Sequence, residues 1–286
     1  MTILASVTGL GSDRTVLEAA VAVARIDGGH IDCLHTRIDA VEATALMAAA
    51  SPRQNTDVHG LLRKISDEEA ERSRHARQAF DDICKRYALT VQDTPSDTPP
   101  VSAAWKEHRS FLNETLHEAR YYDLTVMGRD GSLSPDRVTS VLMRSGRPLL
   151  LAPEKPADVI GQNVAVAWKA TAEAARALTA ASRMLARAGR VTILSVSENE
   201  AGNDQDRLSA ERLARQLAWA GIKPEVRMCY SPRASAAQAL LDMAYDCNAD
   251  LLVMGAYGHS RMKEFIFGGV TRDLLAACPL PIFMAS

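Results

Sequence analysis

The amino-acid sequence predicts an α/β protein of two tandem doubly wound domains, each a five-stranded parallel sheet with helices on both faces. Short apolar strands alternate with amphipathic helices along the chain, an order typical of right-handed crossovers between parallel strands. Strand segments such as "LLVMG" (251–255) are apolar almost throughout, as expected for strands buried on both faces. The same succession of strands and helices occurs twice, which predicts a tandem duplication.

Four pairs of segments carry this repeat. They are an opening strand and Ala-rich helix (3–25 and 164–187), a second strand (30–36 and 190–196), an acidic residue before an apolar strand and Gly-x-x-Gly (122–131 and 249–258), and a Pro-led last strand (147–153 and 280–286). We predict domains at 1–153 and 160–286. The first copy has about 34 additional residues, which we assign to helical pieces within 39–75 around a polar break at Ser51–Asp57.

The second copy shows the predicted elements most clearly. We expect strands at 164–168, 190–196, 224–229, 250–254 and 281–285, and helices at 171–187, 206–220, 234–247 and 270–277. In such sheets ligands bind beyond the carboxyl ends of the strands, where the topology changes direction.

Composition excludes several classes of function. The net charge of −2 does not favour nucleic acid or an anionic membrane as a partner. No segment approaches the roughly 18–20 consecutive apolar residues that span a bilayer, and the start "MTILASVTGL" is typical of a strand rather than a signal peptide. Five widely spaced cysteines suit neither a disulfide framework nor a zinc site. We therefore expect a cytoplasmic protein.

Four glycines lie where a ligand is expected. Gly255 and Gly258 follow strand 250–254, and Gly268 and Gly269 precede helix 270–277. A helix start offers unpaired N–H groups to phosphate, and glycine lets a ligand approach the backbone closely. A turn alone would also explain these glycines, and the spacings of the Walker loop and of Gly-x-Gly-x-x-Gly are absent.

The spacing Gly255-x2-Gly258-x9-Gly268 resembles that of the universal stress protein family, in which members with Gly-x2-Gly-x9-Gly-Ser/Thr bind ATP. The resemblance implies an adenine nucleotide alpha hydrolase-like fold with ATP at the carboxyl ends of strands one and four. It also implies that the three glycines surround ribose and phosphates, while the backbone near Val196 meets the adenine edge.

Three positions depart from the family pattern. Lys169 and Ala170 stand where the family commonly has Asp-Gly, so Mg²⁺ binding is left open, although lysine offers a point charge to phosphate. Gly269 replaces the Ser/Thr, and Thr271 either supplies a hydroxyl or caps the helix.

Other side chains near the loop have two interpretations each. Trp168 either walls the pocket against a base or fills the core, and His259 either contacts the ligand or is a solvated loop residue. No catalytic residues and no metal ligands stand out, so an enzyme is not the favoured interpretation, although weak ATP hydrolysis is left open. His30 and His35 should point to opposite faces of one strand, because their spacing is odd.

The first copy is expected to keep the fold without a phosphate site. Val141 stands at the position of the third glycine, Pro135 lacks an N–H, and Thr8 replaces the aspartate. The resemblance further implies that "RPLLLAP" and "LPIFMAS" pair, making the chain its own pseudo-dimer, with a homodimer left open. The leading hypothesis is a stress-response protein that binds an adenine nucleotide in its second domain; the alternatives are a nucleotide-free interaction scaffold and a slow ATPase.

Overall fold

The structure is a computed structural model. It describes residues 1–37, 58–95, 101–109, 114–129, 135–157, 159–197, 203–231, 236–256 and 269–286. The chain divides into two compact units, Met1–Ser145 and Gly146–Ser286, called unit 1 and unit 2 below.

Unit 1 alternates strands and helices as predicted. Its elements are β1 (Thr2–Val7), α1 (Asp13–Asp27), β2 (Gly29–Arg37), α2 (Val58–Tyr87), β3 (Thr90–Val91), β4 (Val101–Arg109), α3 (Glu114–Ala119), β5 (Leu124–Met127) and α4 (Pro135–Arg144). The sheet order is β3-β4-β2-β1-β5, with all pairs parallel. The inner strand β1 is buried from Ile3 to Val7, which shows that both faces of the sheet are covered.

Unit 2 repeats this arrangement. Its elements are β6 (Leu149–Leu151), β7 (Asn163–Ala167), α5 (Ala172–Ala180), α6 (Ser182–Arg187), β8 (Arg190–Ser197), α7 (Asn203–Trp219), β9 (Glu225–Tyr230), α8 (Ala236–Asp246), β10 (Leu251–Gly255), α9 (Gly269–Ala277) and β11 (Ile282–Ala285). The order is β6-β11-β10-β7-β8-β9, and β7 to β11 are parallel. The predicted α/β class with a parallel sheet is confirmed.

The pairing of the two Pro-led strands is also confirmed. Strand β6 runs antiparallel to β11, with Leu150 opposite Phe283, and both side chains are buried. Since β6 lies in unit 2, the described part of unit 1 contains the five strands β1 to β5, and that of unit 2 contains the six strands β6 to β11.

Two expectations on helices need correction or a limit. The single helix predicted over 171–187 is interrupted at Ala181, where α5 ends and α6 begins. Within the predicted insertion 39–75, residues 39–57 lie outside the described residues. The remainder belongs to the 30-residue helix α2, which starts at Val58.

The acidic residue at the start of each repeated motif anchors a neighbouring strand. In unit 2, the Asp250 carboxylate accepts hydrogen bonds from the backbone N–H groups of Gly161, Gln162 and Asn163 at 2.7, 3.0 and 2.9 Å. In unit 1, Asp123 accepts one from the Thr2 N–H at 2.8 Å. Each aspartate therefore fixes the start of one strand, β1 in unit 1 and β7 in unit 2.

Two further predictions can be compared with the structure. Cys33, Cys84, Cys229, Cys247 and Cys278 are all free thiols, as expected. In the part of the chain that the structure describes, no helix has the length and hydropathy needed to cross a membrane.

Candidate functional site

The carboxyl edge of the unit 2 sheet is where the sequence predicts a nucleotide site. Ala167 of β7 is level with Leu194 of β8 and with Met254 of β10. Since a parallel strand rises about 3.3 Å per residue, Lys169 and Val196 both lie about two residues beyond this level. The topology therefore brings the ends of β7, β8 and β10 to one edge, as the sequence predicts.

Helix α5 starts at this edge. Thr171 is its N-cap, and the Thr171 hydroxyl accepts a hydrogen bond from the Ala174 N–H at 3.3 Å. The Thr171 N–H in turn donates to the Lys169 carbonyl at 2.7 Å, which forms a tight turn after β7. The helix therefore presents the positive end of its dipole at the carboxyl edge, where an anion is favoured. Glu173 of the first turn is paired with Arg176 at 3.0 Å.

Gly255 lacks a side chain for a reason that the sequence did not suggest. A Cβ at this position would collide with the backbone of the first turn of α5, lying 2.6 Å from the Glu173 carbonyl carbon and 2.7 Å from the Ala174 Cα. In unit 1, a Cβ on Gly128 would lie 2.6 Å from the Ser12 Cβ, at the start of α1. The first glycine of each motif therefore allows close packing of α1 against the end of β5 in unit 1, and of α5 against the end of β10 in unit 2.

The residues around the start of α9 have a different environment. Gly269 is the first residue of α9, and a Cβ there would meet none of the described residues within 4 Å. Thr271 is buried two residues inside the helix, so it does not cap it. Arg272 pairs with Asp273 at 3.3 Å. The Asp273 carboxylate therefore offsets the positive charge that Arg272 places in the first turn of the helix. The structure therefore leaves room for a hydroxyl side chain at position 269.

Trp168 and Val196 stand beside this edge with other partners. The Trp168 ring packs against the core cluster of β8 and α7, and its Nε1–H donates to the Ser209 hydroxyl at 3.0 Å. Val196 is partly buried and lies opposite Cys229 of β9. The packing of Trp168 favours the core-filling interpretation over that of a pocket wall. The remaining predicted site residues, Gly258, His259 and Gly268, lie outside the described residues.

The corresponding edge of unit 1 is closed by a residue that sequence reasoning missed. The Asp13 carboxylate is buried and accepts hydrogen bonds from the N–H groups of Thr8 and Gly9, both at 2.7 Å. Gly9 has φ +77°, and a Cβ there would lie 2.6 Å from the Arg72 carbonyl carbon of α2. The donors after β1 are therefore used by the protein itself, and α2 covers the loop. The signal available in the sequence was an aspartate six residues after the end of β1.

The two histidines of β2 point to opposite faces, as predicted. His30 contacts Asp32 and Ser102 at 3.1 and 2.8 Å, whereas the buried His35 stacks on Trp105 at 6.1 Å between ring centroids. Burial lowers the pKa of His35, although a hydrogen bond between its Nδ1 and the Val7 carbonyl opposes this shift. Its imidazole is therefore held in the neutral form.

A buried network around Asp32 is a second feature that was missed. The Asp32 carboxylate pairs with Lys106 at 2.8 Å and accepts a hydrogen bond from the Tyr122 hydroxyl at 2.5 Å. Burial alone would raise the pKa of Asp32, but the hydrogen bonds from His30, Lys106 and Tyr122 outweigh it and lower the pKa to about 2. Burial and the neighbouring Asp32 raise the pKa of Tyr122 to about 12. The network therefore holds an ion pair within the sheet of unit 1.

Comparisons with known proteins agree with this geometry. The model of the universal stress protein family matches residues 161–286. A crystal structure of a universal stress protein from Archaeoglobus fulgidus DSM 4304 matches with a TM-score of 0.67 and 18% identity, over 100% of this chain and 98% of that chain. A protein of unknown function from Pseudomonas aeruginosa PAO1 matches with a TM-score of 0.54 and 13% identity, over 99% and 91%.

Identities this low establish the fold alone, and a search of curated protein sequences finds no match to this chain. The sequence match falls on the unit that carries the full glycine spacing, and the structural match extends over both units. Residues 161–286 therefore match the model of the universal stress protein family, and the chain as a whole has the fold of a universal stress protein.

Proposed function

We propose that unit 2 binds ATP or a related adenine nucleotide at its carboxyl edge, and that the protein acts in the cytoplasm in a stress response. The nucleotide serves as a regulatory ligand that shifts conformation or assembly. The observation that carries the proposal is the coincidence of three features in one unit: the family match, the complete Gly-x2-Gly-x9-Gly spacing and the start of α5 at the edge.

The contrast between the two units supports this assignment. In unit 1, the N–H groups of Thr8 and Gly9 already bond to Asp13, and α2 packs against the loop. In unit 2, the corresponding loop after β7 has Lys169 and Ala170, and neither residue can place a carboxylate there. A phosphate group at this edge would meet the positive end of α5, where the Glu173 carboxylate of the first turn is paired with Arg176.

Lys169 gives the proposed site a cation where the family commonly has an aspartate carboxylate. An ammonium group cannot coordinate Mg²⁺, but it stabilises phosphate as a point charge. The proposal therefore does not depend on Mg²⁺ held by the protein. The aspartate that the family commonly has is missing here, and Gly269 replaces the Ser/Thr. These two departures favour the alternative of a nucleotide-free scaffold.

The test begins with the full chain as purified. The protein is denatured, and adenine nucleotides in the supernatant are quantified by chromatography; the melting temperature of a nucleotide-free sample is then measured with and without ATP. We expect released adenine nucleotide, or a rise in melting temperature with ATP. If no adenine nucleotide is released and the melting temperature does not rise at millimolar ATP, nucleotide binding is refuted. The nucleotide-free interaction scaffold is then the remaining hypothesis. Steady conversion of added ATP to ADP would instead indicate the slow ATPase.

A further inference from the structure

Unit 1 carries a cluster of three potential metal ligands away from the proposed nucleotide site. His108 lies near the end of β4, and Glu114 and Glu118 lie on α3. One ligand atom from each residue lies within 4.8 Å of the other two, and all three residues are partly buried. His108 Nδ1 and Glu114 Oε1 are 2.9 Å apart. A cation of a suitable type could therefore contact all three after small side-chain rotations.

The fold explains why these side chains converge. Glu114 and Glu118 are four residues apart, so they share one face of α3. The opposite face of α3 packs inward through Thr115, Leu116 and Ala119, which are buried. This packing holds the two carboxylates on the side of the helix that meets His108 at the end of β4.

The charge balance of the cluster is incomplete without a cation. Glu114 pairs with His108, but within the described ranges Glu118 makes no ion pair, although it is only partly exposed. The neighbouring acid Glu107 is already paired with Arg37 at 3.1 Å, and Lys106 is paired with Asp32 at 2.8 Å. Among these charges, Glu118 has no ion-pair partner within the described ranges, and Glu114 has only His108, which is itself a potential metal ligand.

We propose that His108, Glu114 and Glu118 bind a divalent first-row metal ion, with Zn²⁺ as the preferred ion. An imidazole nitrogen and two carboxylate oxygens match the ligand types of zinc sites, in which distances are about 2.0–2.2 Å. Three protein ligands leave one tetrahedral position open for water or another ligand. The two carboxylates neutralise the charge of the ion, and the neutral imidazole directs the preference away from Mg²⁺ and Ca²⁺.

The cluster belongs to unit 1 alone. When the two Asp-x-x-Val-Met-Gly motifs are aligned, Leu241 and Tyr245 of α8 stand at the positions of Glu114 and Glu118. Leu241 is buried and Tyr245 is half exposed, and neither offers a zinc ligand of the carboxylate type. The proposed metal site is therefore independent of the nucleotide site, and each can fail without affecting the other.

Titration of the chelator-treated full chain with Zn²⁺ in a calorimeter tests the proposal. We expect one ion per chain at the cluster and at least about 100-fold weaker binding in His108→Gln and Glu118→Gln, because even outer-shell changes at metal sites cost about 10–100-fold. His117→Gln is the matched control, since His117 is exposed on the same helix and should bind no ion. Far-ultraviolet circular dichroism verifies that each variant is folded.

Co²⁺ provides an independent readout of the ligands. We expect visible absorption of Co²⁺ bound to nitrogen and oxygen, lost in His108→Gln and kept in His117→Gln. A strong thiolate charge-transfer band would place the metal on a cysteine and overturn the proposal. Zn²⁺ affinity that is absent in the wild type, or unchanged in His108→Gln, would overturn it as well.

Discussion

Replacing Gly255 with alanine should destabilise unit 2 through packing. The added Cβ would lie 2.6 Å from the Glu173 carbonyl carbon and 2.7 Å from the Ala174 Cα, whereas carbon atoms in contact are ordinarily about 3.5–4.0 Å apart. The first turn of α5 must therefore move by about 1 Å, because both contacts are to backbone atoms. Overpacking of this kind costs about 1–3 kcal/mol. For a unit of this size, the melting temperature should fall by about 3–10 °C.

Thermal and urea unfolding of the full chain measure this effect, and Gly269→Ala provides the matched control. A Cβ on Gly269 meets no atom of the described part of the chain within 4 Å, so alanine there should leave the free energy of unfolding unchanged or raise it by up to about 1 kcal/mol. If Gly255→Ala unfolds at the wild-type temperature, or if the two variants lose the same stability, the packing role of Gly255 is refuted.

Three further predictions concern charge, ligand affinity and strand anchoring. The pKa of Asp32 falls from 3.8 to about 2 on folding, so its network stabilises the fold by about 2 kcal/mol above about pH 4. This contribution disappears as the pH falls towards about 2. A difference in unfolding free energy between wild type and Asp32→Asn that did not shrink in acid would contradict this prediction. Gly269→Ser should strengthen ATP binding about tenfold in calorimetry, because a hydrogen bond to a charged group contributes about 1.5 kcal/mol; unchanged affinity would argue against a phosphate at the start of α9. Asp250→Ala should lower the free energy of unfolding by about 3 kcal/mol, because three backbone donors lose their acceptor. Asp123→Ala should lower it by about 1 kcal/mol, because one backbone donor loses its acceptor. Equal losses of the two variants in urea unfolding would contradict this difference in strand anchoring.

The parallel sheet of unit 2 could be predicted because its strands are apolar almost throughout. Strand β10, for example, begins and ends within one residue of its predicted bounds, since Asp250 precedes it and Gly255 ends it. The break at Ala181 could not be predicted, because "TAASRML" contains neither the glycine nor the proline that typically ends a helix.

The candidate site could be predicted in position but not in detail. The edge that Lys169, Val196 and Gly255 share follows from parallel topology, which sequence periodicity reveals. The packing of Gly255 against α5 depends on how closely a helix and a strand approach, and a sequence does not contain that distance. The repeated motif indicated that Gly255 has a structural or functional role. It did not reveal that a Cβ at this position would collide with the backbone of Ala174.

Polar side chains with distant partners were the main omissions. Asp32 meets Lys106 and Tyr122 only because β2, β4 and β5 converge, and these residues are 74 and 90 positions away in the chain. The partners of Asp13 depend in the same way on the position of the loop after β1. Those of His108 depend on how the end of β4 meets α3. Local patterns carry no signal for such pairs.

Calorimetric titration of the nucleotide-free full chain with ATP tests the central claim most directly. We predict one ATP per chain, because unit 2 carries the complete glycine spacing whereas the donors of unit 1 are used by Asp13. Gly268→Val should abolish binding, and Gly131→Val, a change in the first copy at the position equivalent to Gly258, should leave it unchanged. Two bound ATP molecules, binding that survives Gly268→Val, or no binding to the wild-type chain would contradict the account.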